Sequence, residues 1–186
     1  VEDVPLPGLH NRENVLAAVA AAAVWGVPPA ITGDVIKRFE PIEHRLQLVA
    51  NLGDVKYIND SIATTPESTI MALRSFDEPI VLIAGGYDKG VSYDGLGREI
   101  AHNASQLITI GATGKAIDTA SEAHGMAEDK RHRATSLDEA VALATSLALA
   151  GSVVLLSPAS ASYDQFRHFA ERGQRFVSIV EAIRTA

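Results

Sequence analysis

Three stretches of this sequence gather hydroxyls, a carboxylate and a cation where an apolar run gives way to polar residues. In Tyr57-Ile-Asn-Asp60-Ser61-Ile-Ala-Thr64-Thr65-Pro66-Glu-Ser-Thr69, one carboxylate and three hydroxyls fall within six positions after the apolar run 55–58. In Ala84-Gly85-Gly86-Tyr87-Asp88-Lys89-Gly90, the glycines permit close backbone approach, and Lys89 offers a compact charge suited to a carboxylate or phosphate. In Leu156-Ser157-Pro158-Ala159-Ser160-Ala161-Ser162-Tyr163-Asp164-Gln165-Phe166, small hydroxyl residues leave room for a ligand. Ser162 is expected at a helix start, where free amides suit an anion. Each stretch also has a purely structural reading. Thr65 before Pro66 is good capping chemistry, Ser162 can cap the helix it precedes, and Lys89 can be a solvated charge on a glycine turn. Cap and ligand contact can coexist. None of the stretches has the P-loop spacing GxxxxGK[ST]. Ser162, Asp164 and His168 could be written as a triad, but the GxSxG elbow is missing.

Two further pairs carry possible recognition chemistry. Asn11 and Asn14 fall on one side of a first helical turn, where paired amides can read a purine edge, although Asn11 alone would be an ordinary N-cap. Arg45, in His44-Arg45, could lean over a site between two domains or remain a solvated hinge charge. His10, His44, His102, His124, His132 and His168 show no metal spacing such as HxxxH.

The elements that must position these residues alternate. A loop over 1–10 leads to a helix with an apolar face up to Gly26, and a second helix is expected over about 32–39. Glu40-Pro41-Ile42-Glu43 reads as a hinge, with a domain boundary near residue 43. Beyond it, 46–50 and 55–58 are expected strands joined by a hairpin at Asn51-Leu-Gly-Asp54. Helices over about 66–76, 96–104, 116–123 and 137–149 alternate with strands at 80–84, 107–110 and 153–156 and a weak edge strand near 131–134. Ser136 and Glu139 form a capping box for the helix at 137. A last helix is expected over about 163–184, broken at Gly173. The alternation implies an α/β fold. It predicts a Rossmann-like, mostly parallel sheet with helices on both faces, preceded by a short helical tail. The three polar stretches then sit at strand carboxyl ends, where such sheets bind ligands.

Bulk properties narrow the function. The chain has 186 residues, 47% hydrophobic and 21% charged, enough for one packed domain and an appendage. A net charge of -7 argues against nucleic acid held by its phosphates. The absence of cysteine excludes disulfides and thiolate sites and is compatible with the cytoplasm. The alanine-rich run 15–27 is too short to span a bilayer and lacks a signal-peptide pattern, so no membrane partner is expected. The chain begins Val1-Glu-Asp without methionine, which reads as a piece of a longer protein.

Five ordered motifs carry a resemblance. They are Gly8-Leu-His-Asn-Arg-Glu-Asn14, His44-Arg45, Asp60-Ser-Ile-Ala-Thr-Thr-Pro66, Gly85-Gly-Tyr-Asp-Lys-Gly90 and Leu156-Ser-Pro-Ala-Ser-Ala-Ser-Tyr-Asp-Gln-Phe166. Together they resemble the C-terminal part of the D-glutamate-adding Mur ligases, the UDP-N-acetylmuramoyl-L-alanine–D-glutamate ligase family of peptidoglycan synthesis. The resemblance implies that 1–43 is the end of a central ATP-binding domain and 44–186 a Rossmann-like, glutamate-binding C-terminal domain. It implies ATP and Mg2+ as cofactors, with the P-loop and magnesium ligands upstream of Val1. It further implies D-glutamate and UDP-N-acetylmuramoyl-L-alanine as substrates, a monomer, and a cytoplasmic location. Residue by residue, Asn11 and Asn14 resemble the adenine-side asparagines, Arg45 the hinge arginine on the nucleotide, and Asp60 the carboxylate near the ribose. Thr64, Lys89, Ser162 and Phe169 resemble the D-glutamate pocket. Ile62 departs from the family, where lysine is common, and Thr65 stands where asparagine is common.

The expected activity is amide ligation through an acyl phosphate, with the chain inactive by itself. The competing reading is a free-standing, non-catalytic module that binds a nucleotide or acidic amino acid. A Rossmann-type oxidoreductase is disfavoured because the glycines after Ala84 do not give GxGxxG.

Overall fold

The computed structural model describes residues 9–39 and 42–185, so 1–8 of the loop expected over 1–10 and the Glu40-Pro41 part of the hinge lie outside the described residues, while residues 9 and 10 are already helical. The chain divides into two compact units, Val1–Glu43 and His44–Ala186. The first contains α1 (Leu9–Val24) and α2 (Pro29–Lys37). Asn11 lies inside α1, as its third residue, rather than before it. α2 starts earlier than the sequence suggests: Pro28 is the N-cap and Pro29 the first helical residue, where proline's fixed φ suits a helix and its missing N–H leaves nothing unpaired. Val24 at the end of α1, Trp25 just after it, and Ile31 and Val35 on α2 are exposed.

The second unit is built on a six-stranded sheet of order β1-β2-β6-β3-β4-β5. Its strands are β1 (Gln47–Leu52), β2 (Val55–Asn59), β3 (Ile80–Gly85), β4 (Ala104–Ile110), β5 (Arg131–Arg133) and β6 (Val153–Leu156). β1 and β2 form an antiparallel hairpin, and every other pairing is parallel. Gly53 and Asp54 turn the hairpin with φ of 57° and 64°, the two-residue geometry that matches strand twist.

The helices are α3 (Pro66–Leu73), α4 (Asp94–Asn103), α5 (Gly114–Ala123), α6 (Leu137–Leu147) and α7 (Phe169–Thr185). β3 is buried along its whole length, and its side chains divide between two cores. Ile80, Leu82 and Ala84 join residues of α3, α4 and α5, while Val81 and Ile83 join those of α6 and α7. Such two-sided burial requires the continuous apolar runs seen at 80–84 and 153–156. The chain runs from β2 outward through β3 and β4 to β5, then returns so that β6 fills the gap between β2 and β3.

Two caps form as the sequence suggests. The Thr65 hydroxyl accepts from the Ser68 amide, and Ser136 accepts from the Glu139 amide. Glu139, however, reaches back one residue further than a capping box requires, accepting from the Thr135 amide at 2.7 Å. The last helix also differs. Residues 163–168 are turns and bends, and α7 starts at Phe169 and runs unbroken through Gly173. That glycine serves packing, since a β-carbon there would come within 2.7 Å of His44 Cγ.

Candidate functional site

The loops after β2, β3, β4 and β6 meet at one edge of the sheet because β6 lies between β2 and β3. The loop after β6 is stitched to the one after β3 by the Gly85 amide to the Pro158 carbonyl and the Tyr87 amide to the Ala161 carbonyl, both at 2.8 Å. The Gly86 amide donates to Thr113 Oγ1 at 3.0 Å, and Thr113 Oγ1 lies 2.8 Å from Ser160 Oγ, which Tyr93 also reaches at 3.0 Å. Gly86, with φ of 155°, must be glycine, because a β-carbon would overlap the Ala161 carbonyl and approach Arg172 Nη1 at 3.1 Å.

Asp60 follows β2 and is only 4% exposed. Its carboxylate accepts from the Leu46 amide at 3.2 Å and from the Ser157 hydroxyl at 2.8 Å. Burial raises its pKa to about 6, against the lowering effect of the Ser157 and Leu46 hydrogen bonds and the Arg45 charge. Thus Asp60 ties the chain leaving the hinge to the loops after β2 and β6. Arg45 is exposed between His44 and Leu46, whose φ values of 64° and 44° are uncommon for residues other than glycine. Both neighbours are anchored: Leu46 by Asp60, and the His44 imidazole by Asn59 Nδ2 at 3.0 Å.

Thr64 is half-buried in the loop after β2. Lys89 is exposed in the loop after β3 and makes no ion pair among the described residues. Ser162 is 2% exposed, and its Oγ is buried without a hydrogen-bond partner. It is not at a helix start, since α7 begins later; its carbonyl instead accepts from the amides of Gln165 and Phe166. Phe169 opens α7, half-buried and edge-on to His44 with centroids 6.3 Å apart. Tyr87 and Tyr163 meet edge-to-face at 5.9 Å, bringing the neighbourhood of Lys89 beside that of Ser162. The expected pocket residues Thr64, Lys89 and Ser162 therefore lie on loops, and Phe169 at the start of α7, that touch one another through Ser61–Phe169 and Tyr87–Tyr163. Asn11 and Asn14 belong to the other unit, where Asn11 is buried and Asn14 exposed.

The residue missed in the sequence is Arg172. It is 1% exposed and among the largest fully buried side chains. Its guanidinium makes five hydrogen bonds: Nε to Ser61 Oγ at 3.0 Å, Nη1 to the carbonyls of Ser160 and Ala161, and Nη2 to those of Ser61 and Ser160. No carboxylate pairs with it among the described residues. Desolvation lowers its pKa to about 10, opposed by the charge of Asp164. It also lies in the first turn of α7, where a cation faces the positive end of the helix dipole, unfavourable by about 0.3–1 kcal/mol. Its place on the buried stripe Arg172, Phe176, Val180 was the available signal.

This arrangement offers cations and hydroxyls to an anionic ligand but no nucleophile and base in contact. The Asp164 carboxylate accepts from the Ala112 amide and His168 Nδ1 from the Glu171 amide, so neither relays to Ser162. Among the described residues no three His, Cys, Asp or Glu side chains gather as metal ligands. No described helix is long and apolar enough to cross a membrane.

The α/β sheet agrees with the class that the sequence match shows: the chain belongs to the Mur ligase family, matching its glutamate ligase domain over residues 44–160. It is 46% identical to the UDP-N-acetylmuramoylalanine–D-glutamate ligase of Symbiobacterium thermophilum over 98% of this chain and 40% of that protein. It is 45% identical to the ligase of the same name from Acetivibrio thermocellus, over 97% of this chain and 40% of that one. The chain thus spans about 40% of the length of these curated relatives. In fold it is similar to a folylpolyglutamate synthase of Mycobacterium tuberculosis complexed with ADP, with a TM-score of 0.67 at 18% identity over 95% of this chain and 41% of that one. A pseudomurein peptide ligase type C from Methanothermus fervidus gives 0.68 at 15% identity, covering 97% of this chain and 37% of that one.

Proposed function

We propose that this chain is the C-terminal part of an ATP-dependent amide ligase that adds D-glutamate to UDP-N-acetylmuramoyl-L-alanine in the cytoplasm, acting as a monomer. The observation that carries the reading is the meeting of the Thr64, Lys89 and Ser162 loops with the start of α7 at Phe169, at the sheet edge of a glutamate ligase domain. In the proposed reaction the carboxylate of the L-alanyl end takes the γ-phosphoryl group of ATP, giving an acyl phosphate and ADP. The amine of D-glutamate attacks the acyl carbon, loses a proton, and expels phosphate as the amide forms. Magnesium, when bound, would neutralise phosphoryl charge, using ligands other than the residues described.

The residues of this chain bind and orient. Lys89 and the Ser162 hydroxyl hold carboxylates of glutamate, Thr64 adds a further hydroxyl, and Phe169 supplies an apolar wall. Fixing the amine close to the acyl carbon makes the second step effectively unimolecular, which is where most of the rate gain from such a binding domain arises. For the nucleotide, Asn11 and Asn14 serve the adenine and Arg45 the phosphates. Asp60 serves the ribose; its raised pKa and two internal hydrogen bonds give it a second duty in holding the Arg45 segment.

The experiment is ligation by the complete enzyme, followed as ADP release with D-glutamate or L-glutamate, beside the 186-residue chain alone. The expected result is turnover of the complete enzyme with the D enantiomer and none by the shorter chain. Turnover by the 186-residue chain, or indifference to glutamate by the complete enzyme, would overturn the reading.

A further inference from the structure

Arg172 is spent entirely inside the protein. Each of its three guanidinium nitrogens donates to the backbone or hydroxyl of a loop, and the residue is 1% exposed. A guanidinium is costly to bury without a carboxylate partner, and an apolar side chain of similar volume on the stripe with Phe176 and Val180 would be the simpler choice for stability. What the arginine alone supplies is a rigid, planar fork of donors that fixes several acceptors relative to one another.

The acceptors are the informative part. Nη1 and Nη2 hold the carbonyls of Ser160 and Ala161, the two residues immediately before Ser162. Nε and Nη2 hold the hydroxyl and carbonyl of Ser61, at the head of the loop that carries Thr64. The Ser61 hydroxyl in turn donates to the carbonyl of Phe169 at 2.7 Å. Gly86, at the head of the loop that carries Lys89, lies against Nη1 closely enough that a β-carbon would stand 3.1 Å away. One side chain therefore holds the backbone next to Ser162 and at the head of the Thr64 loop, is linked through the Ser61 hydroxyl to Phe169, and lies against Gly86 ahead of Lys89.

We propose that Arg172 is a positioning residue for the amino-acid substrate: its fork sets the spacing of Thr64, Ser162 and Phe169 without touching the ligand. This rests on the proposed function for the identity of the ligand, but the clamp itself is a property of the loops. A bound dicarboxylic amino acid needs several donors held at fixed separation, and a misplacement on the order of 1 Å weakens binding and orientation together.

The test uses the complete enzyme and two variants. Arg172→Lys keeps the charge but loses the fork, and Ser61→Ala removes only the hydroxyl between Nε and Phe169. Arg172→Lys is expected to raise KM for glutamate at least about tenfold while KM for ATP stays within about twofold, and Ser61→Ala to shift glutamate KM in the same direction by less. Hydrogen exchange on the same proteins should show faster exchange in 61–65 and 159–166, with β3 and β4 unchanged. Full rescue by lysine, an equal rise in both KM values, or unaltered exchange in those loops would each overturn the proposal. If the wild-type enzyme does not ligate glutamate at all, the functional reading fails while the exchange measurement still decides the clamp.

Discussion

The His44 imidazole lies across the backbone of Gly173, close enough that a β-carbon on Gly173 would come within 2.7 Å of its Cγ. In an ordinary helix interior, Gly→Ala stabilises by about 1 kcal/mol. Here the overlap opposes that gain, because the ring is held by Asn59 and packed edge-on against Phe169 and has little room to move. Gly173→Ala is therefore expected to destabilise the 186-residue chain by about 1–2 kcal/mol net of helix propensity, read from urea unfolding. An increase in stability would show that His44 can give way.

Asp60 predicts a pH dependence. Its folded pKa of about 6 lies above the ordinary 3.8, so folding favours the protonated acid. The associated stability is present below about pH 4 and is lost as pH rises through about 6. Asp60→Asn keeps the shape and cannot titrate. The stability advantage of wild type over this variant should fall by about 2–3 kcal/mol between pH 4 and pH 7, as measured by urea unfolding at each pH. A constant difference would mean that Asp60 ionises without cost.

Ser162 separates stability from binding. A buried hydroxyl with no partner is unfavourable, so Ser162→Ala should leave stability unchanged or raise it by about 1 kcal/mol. In the complete enzyme the same change should raise KM for glutamate about tenfold. A variant that loses stability with KM unchanged would make Ser162 an ordinary packing residue.

Lys89 is exposed and forms no ion pair among the described residues, so Lys89→Ala should alter stability by less than about 0.5 kcal/mol. Glutamate saturation of the complete enzyme should weaken by about tenfold or more, and more steeply at low ionic strength. Unchanged saturation would remove Lys89 from the pocket.

The order of elements was legible because strands buried on both faces must be apolar throughout, as at 80–84, and because Gly53-Asp54 has few uses other than a tight hairpin. The strand-end loops stood out for the same reason: hydroxyls and glycines there do not build a core. Arg172 was not legible, since an arginine in a helix is read as solvated unless its neighbours on the buried stripe, Phe176 and Val180, are weighed against it. The non-helical stretch before Phe169 was missed because small residues and hydroxyls satisfy helix and turn alike, and long-range contacts of Tyr163 with Tyr87, Asp164 with the Ala112 amide and Gln165 with the Thr135 carbonyl decide between them. Gly173 looked like a break because the sequence does not reveal that His44, far away along the chain, occupies the missing β-carbon's space.

The strand that fills the middle of the sheet is the last to be made. β2 and β3 have no common neighbour until β6 is inserted between them, so during synthesis on the ribosome the β3-β4-β5 side can pair while β2 waits. Closing that gap brings together residues as distant as Ser61 and Arg172, a non-local step that raises contact order and slows folding. The loop-bearing edge of the sheet is thus completed only after β6 has been made, and a ribosome stalled before β6 would leave a nascent chain with an open sheet.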